Sequence, residues 1–263
     1  MWSVDESNRL SVGPATIDFV ALDEVSDAIA AGELPGGVHL CNAYTLALAD
    51  EQPNVAAALQ GDAANLPDGT PLMWWARRSG IATAERVYGP DLMEAVLSAG
   101  QEHSTRHYLY GSTPEVLEAL EAAIGVRWPD AVIVGTESPP FRELTDDEVA
   151  ASVRQAENAG ADIVWVGMGT PKQDLLVHRM STISDQTFVA VGAAFDFIAG
   201  TKSQAPRWMM RLGMEWFYRL VSEPGRLWKR YLVYNAKFLR LLWRDRQGYR
   251  LKSTGSVTDV RRP

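Results

Sequence analysis

The chain has 263 residues, of which 46% are hydrophobic and 22% charged, so we expect one large domain, or one domain with an appendage, around a substantial core. The single cysteine, Cys41, excludes an internal disulfide and is typical of a reducing compartment. No uninterrupted run of eighteen apolar residues predicts a transmembrane helix, and the N-terminal MWSVDESNRL shows no signal-peptide pattern.

The net charge of −8 hides a division between two parts of the chain. Residues 1–199 contain 10 Lys and Arg against 29 Asp and Glu, a net charge of −19. Residues 200–263 contain 15 against 4, a net charge of +11, and the two values sum to −8. An acidic body with a basic segment predicts contact with an anionic partner, either a membrane surface or a nucleic acid.

Short apolar runs alternate with longer Ala-, Leu- and Glu-rich stretches. The short runs predict buried strands at 38–41, 107–110, 131–134, 163–166 and 188–191. The longer stretches predict helices at 44–60, 90–103, 114–124, 146–159 and 171–180. This alternation indicates an α/β fold, a Rossmann-like, mainly parallel sheet flanked by helices. We expect an α/β catalytic domain over 1–200, a basic amphipathic helical appendage over 201–252 and a flexible tail over 253–263.

Ligands of open parallel sheets bind beyond the carboxyl ends of the strands, so the residues that follow each strand are the informative ones. Asn42 follows the first predicted strand, and its amide suits a ribose, a base or a sugar hydroxyl. The alternative is that Asn42 caps the helix that begins near Tyr44.

Asp68 lies in the stretch Asn65-Leu-Pro-Asp-Gly, between an apolar helix and an aromatic run. The Pro-Asp-Gly sequence predicts a turn, which is the simple structural role for this residue. A carboxylate at the edge of a buried segment is also a candidate general base, because partial desolvation raises its proton affinity.

The stretch from Glu85 to Met93 predicts a loop that enters a helix at Gly89-Pro90. Arg86 precedes this helix and Asp91 falls in its first turn. A guanidinium near a helix N-terminus is suited to bind a diphosphate, whereas the alternative is an Arg86–Asp91 surface pair.

The stretch WVGMGTPKQD, residues 165–174, predicts a loop at the end of a central strand. Gly167 and Gly169 allow a ligand close to the backbone, Lys172 can meet a phosphate, and Gln173 can contact a base or sugar. A solvated lysine is the simpler alternative. The Gly-x-Gly-x-x-Gly and Walker patterns are both missing, which argues against a dinucleotide site.

Asp196 is a lone carboxylate in an apolar run, so we expect it to anchor a loop or bind a ligand hydroxyl. No Asp-x-Asp occurs and the four histidines are scattered, so neither a metal site nor another cofactor is expected.

Residues 226–244, RLWKRYLVYNAKFLRLLWR, predict a helix with basic residues on one face and Trp, Phe and Leu on the other. This pattern indicates an interfacial helix on an anionic membrane, and the alternative is a helix packed on its own domain with a solvated basic face. Nucleic acid is disfavoured, because the aromatic residues do not interleave with the charges.

Taken together, several stretches resemble the WecG/TagA/CpsF glycosyltransferase family. They lie in family order from about residue 38 to 232: HLCNAYTLALA, LPDGTPLMWWARR, ERVYGPDLM, YLYGSTPEV, PPF, ADIVWVGMGTPKQD, VGAAFDFIAGT and GMEWFYRLVSEPGRLWKRY. The resemblance implies inverting, metal-independent transfer of a hexose or N-acetylhexosamine from a nucleotide diphosphate sugar, with UDP the first candidate. The implied acceptor is a polyprenyl-diphosphate-linked sugar, and the implied place is the cytoplasmic face of the cell membrane, in cell-envelope polysaccharide synthesis. The oligomeric state stays open.

The resemblance also assigns roles to residues. It places the catalytic aspartate at Asp68, pocket residues at Asn42, Arg86, Gln173 and Asp196, and the arginines of a membrane-contacting appendage at Arg219 and Arg226. The family threonine two residues before the asparagine is Leu40 here, and Thr45 is a candidate substitute. Two other functions remain at this point, a doubly wound oxidoreductase and a non-catalytic membrane adaptor.

Overall fold

A computed structural model describes residues 2–61, 63–82, 84–206, 208–209 and 214–254, without the side chains of Arg226 and of residues 246–254. Eight strands are present in these residues. They are β1 (Arg9–Val12), β2 (Ala15–Asp18), β3 (Gly36–Cys41), β4 (Ala64–Pro67), β5 (Arg106–Gly111), β6 (Val132–Glu137), β7 (Ile163–Gly167) and β8 (Thr187–Ala190).

Eleven α-helices accompany the strands in the described residues, and a 3-10 turn at Glu6–Asn8 precedes them. The helices are α1 (Leu22–Ala30), α2 (Ala43–Glu51), α3 (Pro53–Ala58), α4 (Thr70–Arg78), α5 (Gly89–His103), α6 (Pro114–Arg127), α7 (Asp146–Asn158), α8 (Lys172–Ser181), α9 (Ala194–Ile198), α10 (Glu215–Ser222) and α11 (Pro224–Thr254).

Six of the strands form one parallel sheet in the order β4-β3-β8-β7-β5-β6, and β1 and β2 form a separate antiparallel hairpin. The chain builds β3 and β4 on one side and β5 and β6 on the other, then returns to fill the centre with β7 and β8. All six carboxyl ends therefore meet at one edge of the sheet. The predicted α/β fold with a parallel sheet is confirmed.

Alternation along the strands divides the core into two layers of packing. In β7, Trp165 packs in the layer with α1, α5 and α6, whereas Val164 and Val166 pack in the layer with α7 and α8. In β5, Leu109 and Tyr108 divide in the same way. Both faces of the sheet are thus covered, as the continuous apolar runs of the sequence predict.

The five predicted strands are all present, but β4 and the N-terminal hairpin were not predicted. Strand β4 has the sequence Ala-Asn-Leu-Pro, whose Asn and Pro are poor strand formers. It lies at the edge of the sheet, where a proline at the end of the strand costs no ladder hydrogen bond. The buried amide of Asn65 donates to the carbonyl oxygens of Thr16 (3.0 Å) and Leu59 (2.9 Å), which joins β4 to the hairpin.

Helix boundaries differ from the prediction by one to three residues at several ends, and one predicted helix is divided. The helix predicted over 44–60 is two helices, because Pro53 ends the pattern after Glu51 and starts α3. The helix predicted over 171–180 begins one residue later, with Pro171 as the residue before it. Thr145 and Glu148 form the capping box that the sequence Thr-Asp-Asp-Glu indicates at the start of α7.

Helix α11 has three faces rather than the two that the sequence pattern of residues 226–244 predicted. One apolar face packs on α2 and the hairpin through Phe238, Leu241 and Leu242, so the alternative of packing on its own domain holds for this face. A second apolar stripe stays exposed. It contains Trp228, Leu232, Leu239 and Trp243.

The basic face of α11 is partly paired with the α/β domain. Lys237 binds Glu51 (2.6 Å) and Arg244 binds Asp50 (2.6 Å), both at the end of α2, whereas Lys229 and Arg240 stay exposed. The helix continues to Thr254, so the first two residues of the predicted tail are helical, and 255–263 lie outside the described residues. Within the described chain, no helix combines the length and hydropathy that crossing a bilayer requires.

Candidate active site

The carboxyl ends of the strands open into a cavity of about 380 Å³, which we call the strand-end cavity. Residues that follow all six strands line it. They are Asn42 after β3, Asp68 after β4, Ser112 after β5, Pro139 after β6, Gly169 after β7 and Gly192 after β8. The sequence prediction that the informative residues follow the strands therefore agrees with the position of this cavity.

A second cavity of about 400 Å³ lies between α4 and the two C-terminal helices, and we call it the interhelix cavity. Trp74, Trp216 and Tyr231 contribute to its wall. It shares four residues with the strand-end cavity: Asn42, Asp68, Arg219 and Arg230. Two ligands can therefore approach the same carboxylate, that of Asp68, from two sides.

Asp68 is fixed by its place directly after β4. Its backbone N–H donates to the carbonyl oxygen of Cys41 (2.8 Å), which continues the β3–β4 pairing by one residue. Gly69 then has a φ of 126°, a conformation that favours glycine, and the chain turns into α4. The carboxylate is held at the sheet edge with 19% of its side chain exposed, partly desolvated as the sequence predicted.

Arg86 lies between two carboxylates. Its Nε donates to Oδ1 of Asp68 (3.0 Å), and Nη2 donates to Oε2 of Glu215 (2.9 Å), the first residue of α10. Burial alone would lower the pKa of Arg86, but the charges of Asp68 and Glu215 outweigh it and raise the pKa. The guanidinium also covers the ring of Tyr88 at 4.3 Å, and burial followed by the charge of Glu215 raises the pKa of Tyr88.

Asp91 does not take part in this arrangement. It is exposed in the first turn of α5 and lines neither cavity, and the alternative Arg86–Asp91 pair is replaced by the pairs with Asp68 and Glu215. Arg86 lines the interhelix cavity only, so its contact with a donor diphosphate stays a prediction.

Asn42 takes the capping role that the sequence left open, and its ligand-binding role stays a prediction. Its Oδ1 accepts from the backbone N–H groups of Tyr44 (3.0 Å) and Thr45 (3.2 Å), so it caps α2. These two bonds identify the amide oxygen, and the NH₂ group forms no hydrogen bond with any described residue. Asn42 lines both cavities, so this NH₂ group can donate to a ligand.

Thr45 lies beneath Asn42 and away from both cavities. It is fully buried, and its hydroxyl donates to the same Asn42 oxygen at 3.4 Å. The residue in the position of the family threonine, Leu40, lines the strand-end cavity with an apolar side chain. Thr45 therefore supports the orientation of Asn42 through its contact.

The loop after β7 places Gln173 in the wall of the strand-end cavity. The N–H of Gly169, whose φ is 80°, donates to Oε1 of Gln173 at 2.8 Å. The amide nitrogen of the buried Gln173 forms no hydrogen bond with the described residues and can donate to a ligand. Lys172 is exposed on the same wall.

Asp196 anchors a loop, as one of its two predicted roles required. It pairs with Lys202 at 2.9 Å and lines the strand-end cavity beside it. Its carboxylate therefore lies at the cavity wall with its charge balanced by this lysine.

Two arginines bring unpaired positive charge to the place where the cavities meet. Arg219 lies 5.9 Å from the ring of Phe197, and Arg230 lies 4.6 Å from the ring of Tyr44. Neither guanidinium group forms a hydrogen bond or ion pair with a described residue. Burial lowers the pKa of Arg230. The side chain of Arg226, the other predicted arginine, lies outside the described residues.

No group of three His, Cys, Asp or Glu side chains suited to a metal ion occurs in the described residues. At the junction of the two cavities the site offers the carboxylate of Asp68 and two unpaired guanidinium groups, and two amides with free NH₂ groups line its walls. Such a set can accept one proton and hold a polyanion.

A sequence model described as the glycosyl transferase WecG/TagA/CpsF family matches residues 10–252. The chain belongs to this family. It is therefore a glycosyltransferase, and the family serves cell-envelope polysaccharide synthesis. Membership decides against the oxidoreductase and the non-catalytic adaptor.

For a WecG/TagA/CpsF glycosyltransferase, the structure brings most of the predicted residues to one place. Asn42, Asp68 and Arg219 line both cavities, Gly169, Lys172, Gln173 and Asp196 line the strand-end cavity, and Arg86 lines the interhelix cavity. Thr45 and Asp91 lie outside both.

Sequence reasoning missed Arg230 and Glu215. Arg230 is one of six basic residues on the predicted basic face of residues 226–244, and nothing in the spacing separates it from the others. Glu215 carried a weak signal, because it is one of only four acidic residues in the basic segment 200–263 and begins an aromatic helix.

Proposed function

We propose that the protein transfers a hexose or N-acetylhexosamine from a nucleotide diphosphate sugar, with UDP as the first candidate, to a polyprenyl-diphosphate-linked sugar. The observation that carries the proposal is that two cavities, each of about 400 Å³, meet at Asp68. A transferase for two substrates needs two binding volumes with the reacting atoms at their junction. The strand-end cavity would hold the donor, and the interhelix cavity the sugar of the acceptor.

Asp68 would act as the general base in a single displacement. The acceptor hydroxyl gives its proton to the Asp68 carboxylate while its oxygen forms the new bond to the anomeric carbon. The bond from that carbon to the diphosphate oxygen breaks, and the nucleoside diphosphate leaves with the electron pair. Attack from the face opposite the leaving group inverts the anomeric centre.

Arg219 and Arg230 would stabilise the charge that develops on the leaving diphosphate. Their guanidinium groups lack protein partners among the described residues and lie in partly buried surroundings, where fixed positive charge acts strongly on an anion. This arrangement supports a metal-independent reaction, because the protein itself supplies the positive charge.

Arg86 and Glu215 would position the base. Arg86 donates to one oxygen of Asp68, and Glu215 holds the other end of the guanidinium. The appendage that supplies Glu215 also supplies both unpaired arginines, so its docking would complete the site.

The exposed apolar stripe of α11 supports attachment to the membrane surface. Trp228, Leu232, Leu239 and Trp243 follow each other at spacings of four, seven and four, which places them within an arc of about 60°. Exposed Trp216 and Phe217 of α10 are further aromatic residues of the same appendage, and Lys229 and Arg240 supply exposed positive charge. This combination favours a surface of anionic lipid.

The experiment that tests the function is a screen of UDP-, GDP- and dTDP-sugars with a polyprenyl-diphosphate-sugar analogue, in which the anomeric configuration of the product is read by NMR. Asp68→Asn should abolish transfer while leaving thermal unfolding unchanged. Asp130→Asn, an exposed aspartate on the turn before β6, is the matched control and should transfer at the wild-type rate. Near-normal turnover in Asp68→Asn would remove Asp68 from the role of base, and loss of turnover in EDTA would contradict the metal-independent scheme.

A further inference from the structure

Phe141 is an exposed aromatic residue at the rim of the strand-end cavity. It lies on the loop between β6 and α7, lines the cavity and keeps 78% of its surface exposed. Single exposed apolar residues are common on proteins, so exposure alone indicates nothing. Its position at one end of an elongated polar cavity, at the edge of the sheet opposite Asp68, is what makes it informative.

The strand order places these two ends at opposite edges of the sheet. Asp68 follows β4, Phe141 follows β6, and these strands are the two edges of the six-stranded sheet. Both residues line one cavity, so a ligand that contacts both must extend along the strand ends.

Positive charge is concentrated at the Asp68 end. Arg219 and Arg230 line both cavities, so they lie where these meet, and Lys172 follows the central strand β7. At the β6 end, Arg142 has its charge balanced by two bonds to Glu148, at 2.8 and 2.5 Å. A diphosphate is therefore favoured near the junction and along the centre of the cavity.

The β6 end offers a different chemistry. Apart from the paired Arg142, its lining is apolar or carries a hydroxyl, with Val116, Pro139 and Phe141 as apolar members and Ser112 and Thr113 as hydroxyl members. A planar heterocycle with a few polar atoms matches such a lining, because its faces pack on apolar groups and its edges accept or donate hydrogen bonds.

The loop that carries Phe141 is fixed on both sides of it. The hydroxyl of Ser138 donates to the carbonyl oxygen of Ser112 (2.8 Å), which ties the loop to the end of β5. On the other side, Arg142 is bound to Glu148 of α7. An aromatic ring presented by a pinned loop loses little conformational freedom when a ligand covers it.

We propose that Phe141 stacks on the nucleobase of the donor, so that the donor lies across the strand ends with its sugar at Asp68 and its base at the β6 edge. The inference rests on the proposed function, since it requires a nucleotide diphosphate sugar as the donor. It makes Phe141 a binding residue for the nucleoside part of that donor.

The test measures the binding of UDP, UMP and inorganic pyrophosphate to the full chain by calorimetry, for wild type, Phe141→Ala and Phe141→Tyr. Loss of one base–aromatic stack should raise the Kd of UDP and UMP in Phe141→Ala by about 5- to 150-fold. Phe141→Tyr should bind both nucleotides like the wild type. Pyrophosphate, which has no base, should bind equally to all three proteins. Val126→Ala removes an apolar residue that is 84% exposed elsewhere, and is the matched control.

Two results separate this inference from the proposed function. If UDP and UMP bind to Phe141→Ala within twofold of the wild type, or if pyrophosphate is weakened as much as UDP, stacking on Phe141 is wrong while the transferase proposal stands. If neither UDP, GDP nor dTDP binds the wild type, the donor class itself is wrong, and the inference fails with it.

Discussion

Replacing Arg230 with methionine should make the free protein more stable and the enzyme nearly inactive. Methionine keeps much of the length and the apolar stem of arginine but removes the charge. In the free protein this charge has no hydrogen-bond or ion-pair partner among the described residues, and burial lowers its pKa. The ring of Tyr44, at 4.6 Å, and the charge of Asp68 compensate only in part for lost hydration.

The size of the stability effect follows from these two contributions. Taking a charge out of water costs several kcal/mol, and the cation–π contact with Tyr44 returns about 0.5–2 kcal/mol. We expect Arg230→Met to raise the free energy of unfolding of the ligand-free protein by about 1–2 kcal/mol. For a domain of this size, that corresponds to a rise in Tm of about 2–8 °C.

The effect on catalysis should have the opposite sign. A fixed donor that stabilises developing charge is worth about 10²- to 10³-fold in kcat, so turnover should fall by that factor. The rise in Tm that UDP produces in the wild type should also shrink, because the variant binds the diphosphate less tightly.

Scanning calorimetry with and without UDP, together with initial rates, measures both effects. Arg240→Met, on the exposed basic face of the same helix, controls for the loss of one positive charge and should change neither Tm nor kcat appreciably. A lower Tm in Arg230→Met would show that the guanidinium has a stabilising protein partner. Unchanged turnover would show that Arg230 does not contact the diphosphate.

Three further predictions concern other parts of the molecule. Glu215→Ala should lower the free energy of unfolding by about 1.5–3 kcal/mol in urea titrations, because it removes a buried charge-assisted hydrogen bond. It should also lower kcat more than it raises KM, and wild-type kinetics would contradict the positioning role. Glu143→Ala, at an exposed site, is the control. Burial lowers the pKa of His107 from about 6.5 to about 4, so the unfolded state binds a proton first and the free energy of unfolding falls as the pH falls through this window. In His107→Gln the free energy of unfolding should fall less steeply there, by about 1.4 kcal/mol per pH unit. Parallel pH profiles of stability for the two proteins would refute this. The double variant Trp228→Ser/Trp243→Ser should lose binding to vesicles of anionic phospholipid in sedimentation assays. The control Val126→Ser/Ile183→Ser alters exposed apolar residues elsewhere and should bind like the wild type. Equal binding of both double variants would exclude the α11 stripe as the membrane-binding surface.

Strands such as 163–166 could be predicted from the sequence, because a short continuous apolar run has few stable conformations other than a buried strand. It failed at β4, whose Asn65 and Pro67 are tolerated only because the strand lies at an edge and the hairpin binds the asparagine amide. Strand β4 therefore depends on tertiary contacts, which local strand propensity does not include.

The residues of the candidate site also fall into two groups, those that could be predicted from the sequence and those that could not. Residues that follow strands, such as Asn42 and Asp68, could be found from chain order, because parallel topology alone places them at one edge. Arg230 and Glu215 could not, since their roles depend on how α10 and α11 dock on the sheet. The sequence pattern of α11 places its apolar residues together on one face, and only the contacts with α2 and the hairpin show which of them are covered.

The order of elements along the chain determines the order in which the parts of the site form during synthesis. All strands of the sheet are complete at Ala190, whereas Glu215 and Arg230 belong to helices that leave the ribosome later. Because N-terminal parts of a chain fold first, Asp68 should be in place before the groups that hold and complement it exist. A chain terminated before α11 would keep its base but lack Arg230, and it would expose the apolar surface of α2.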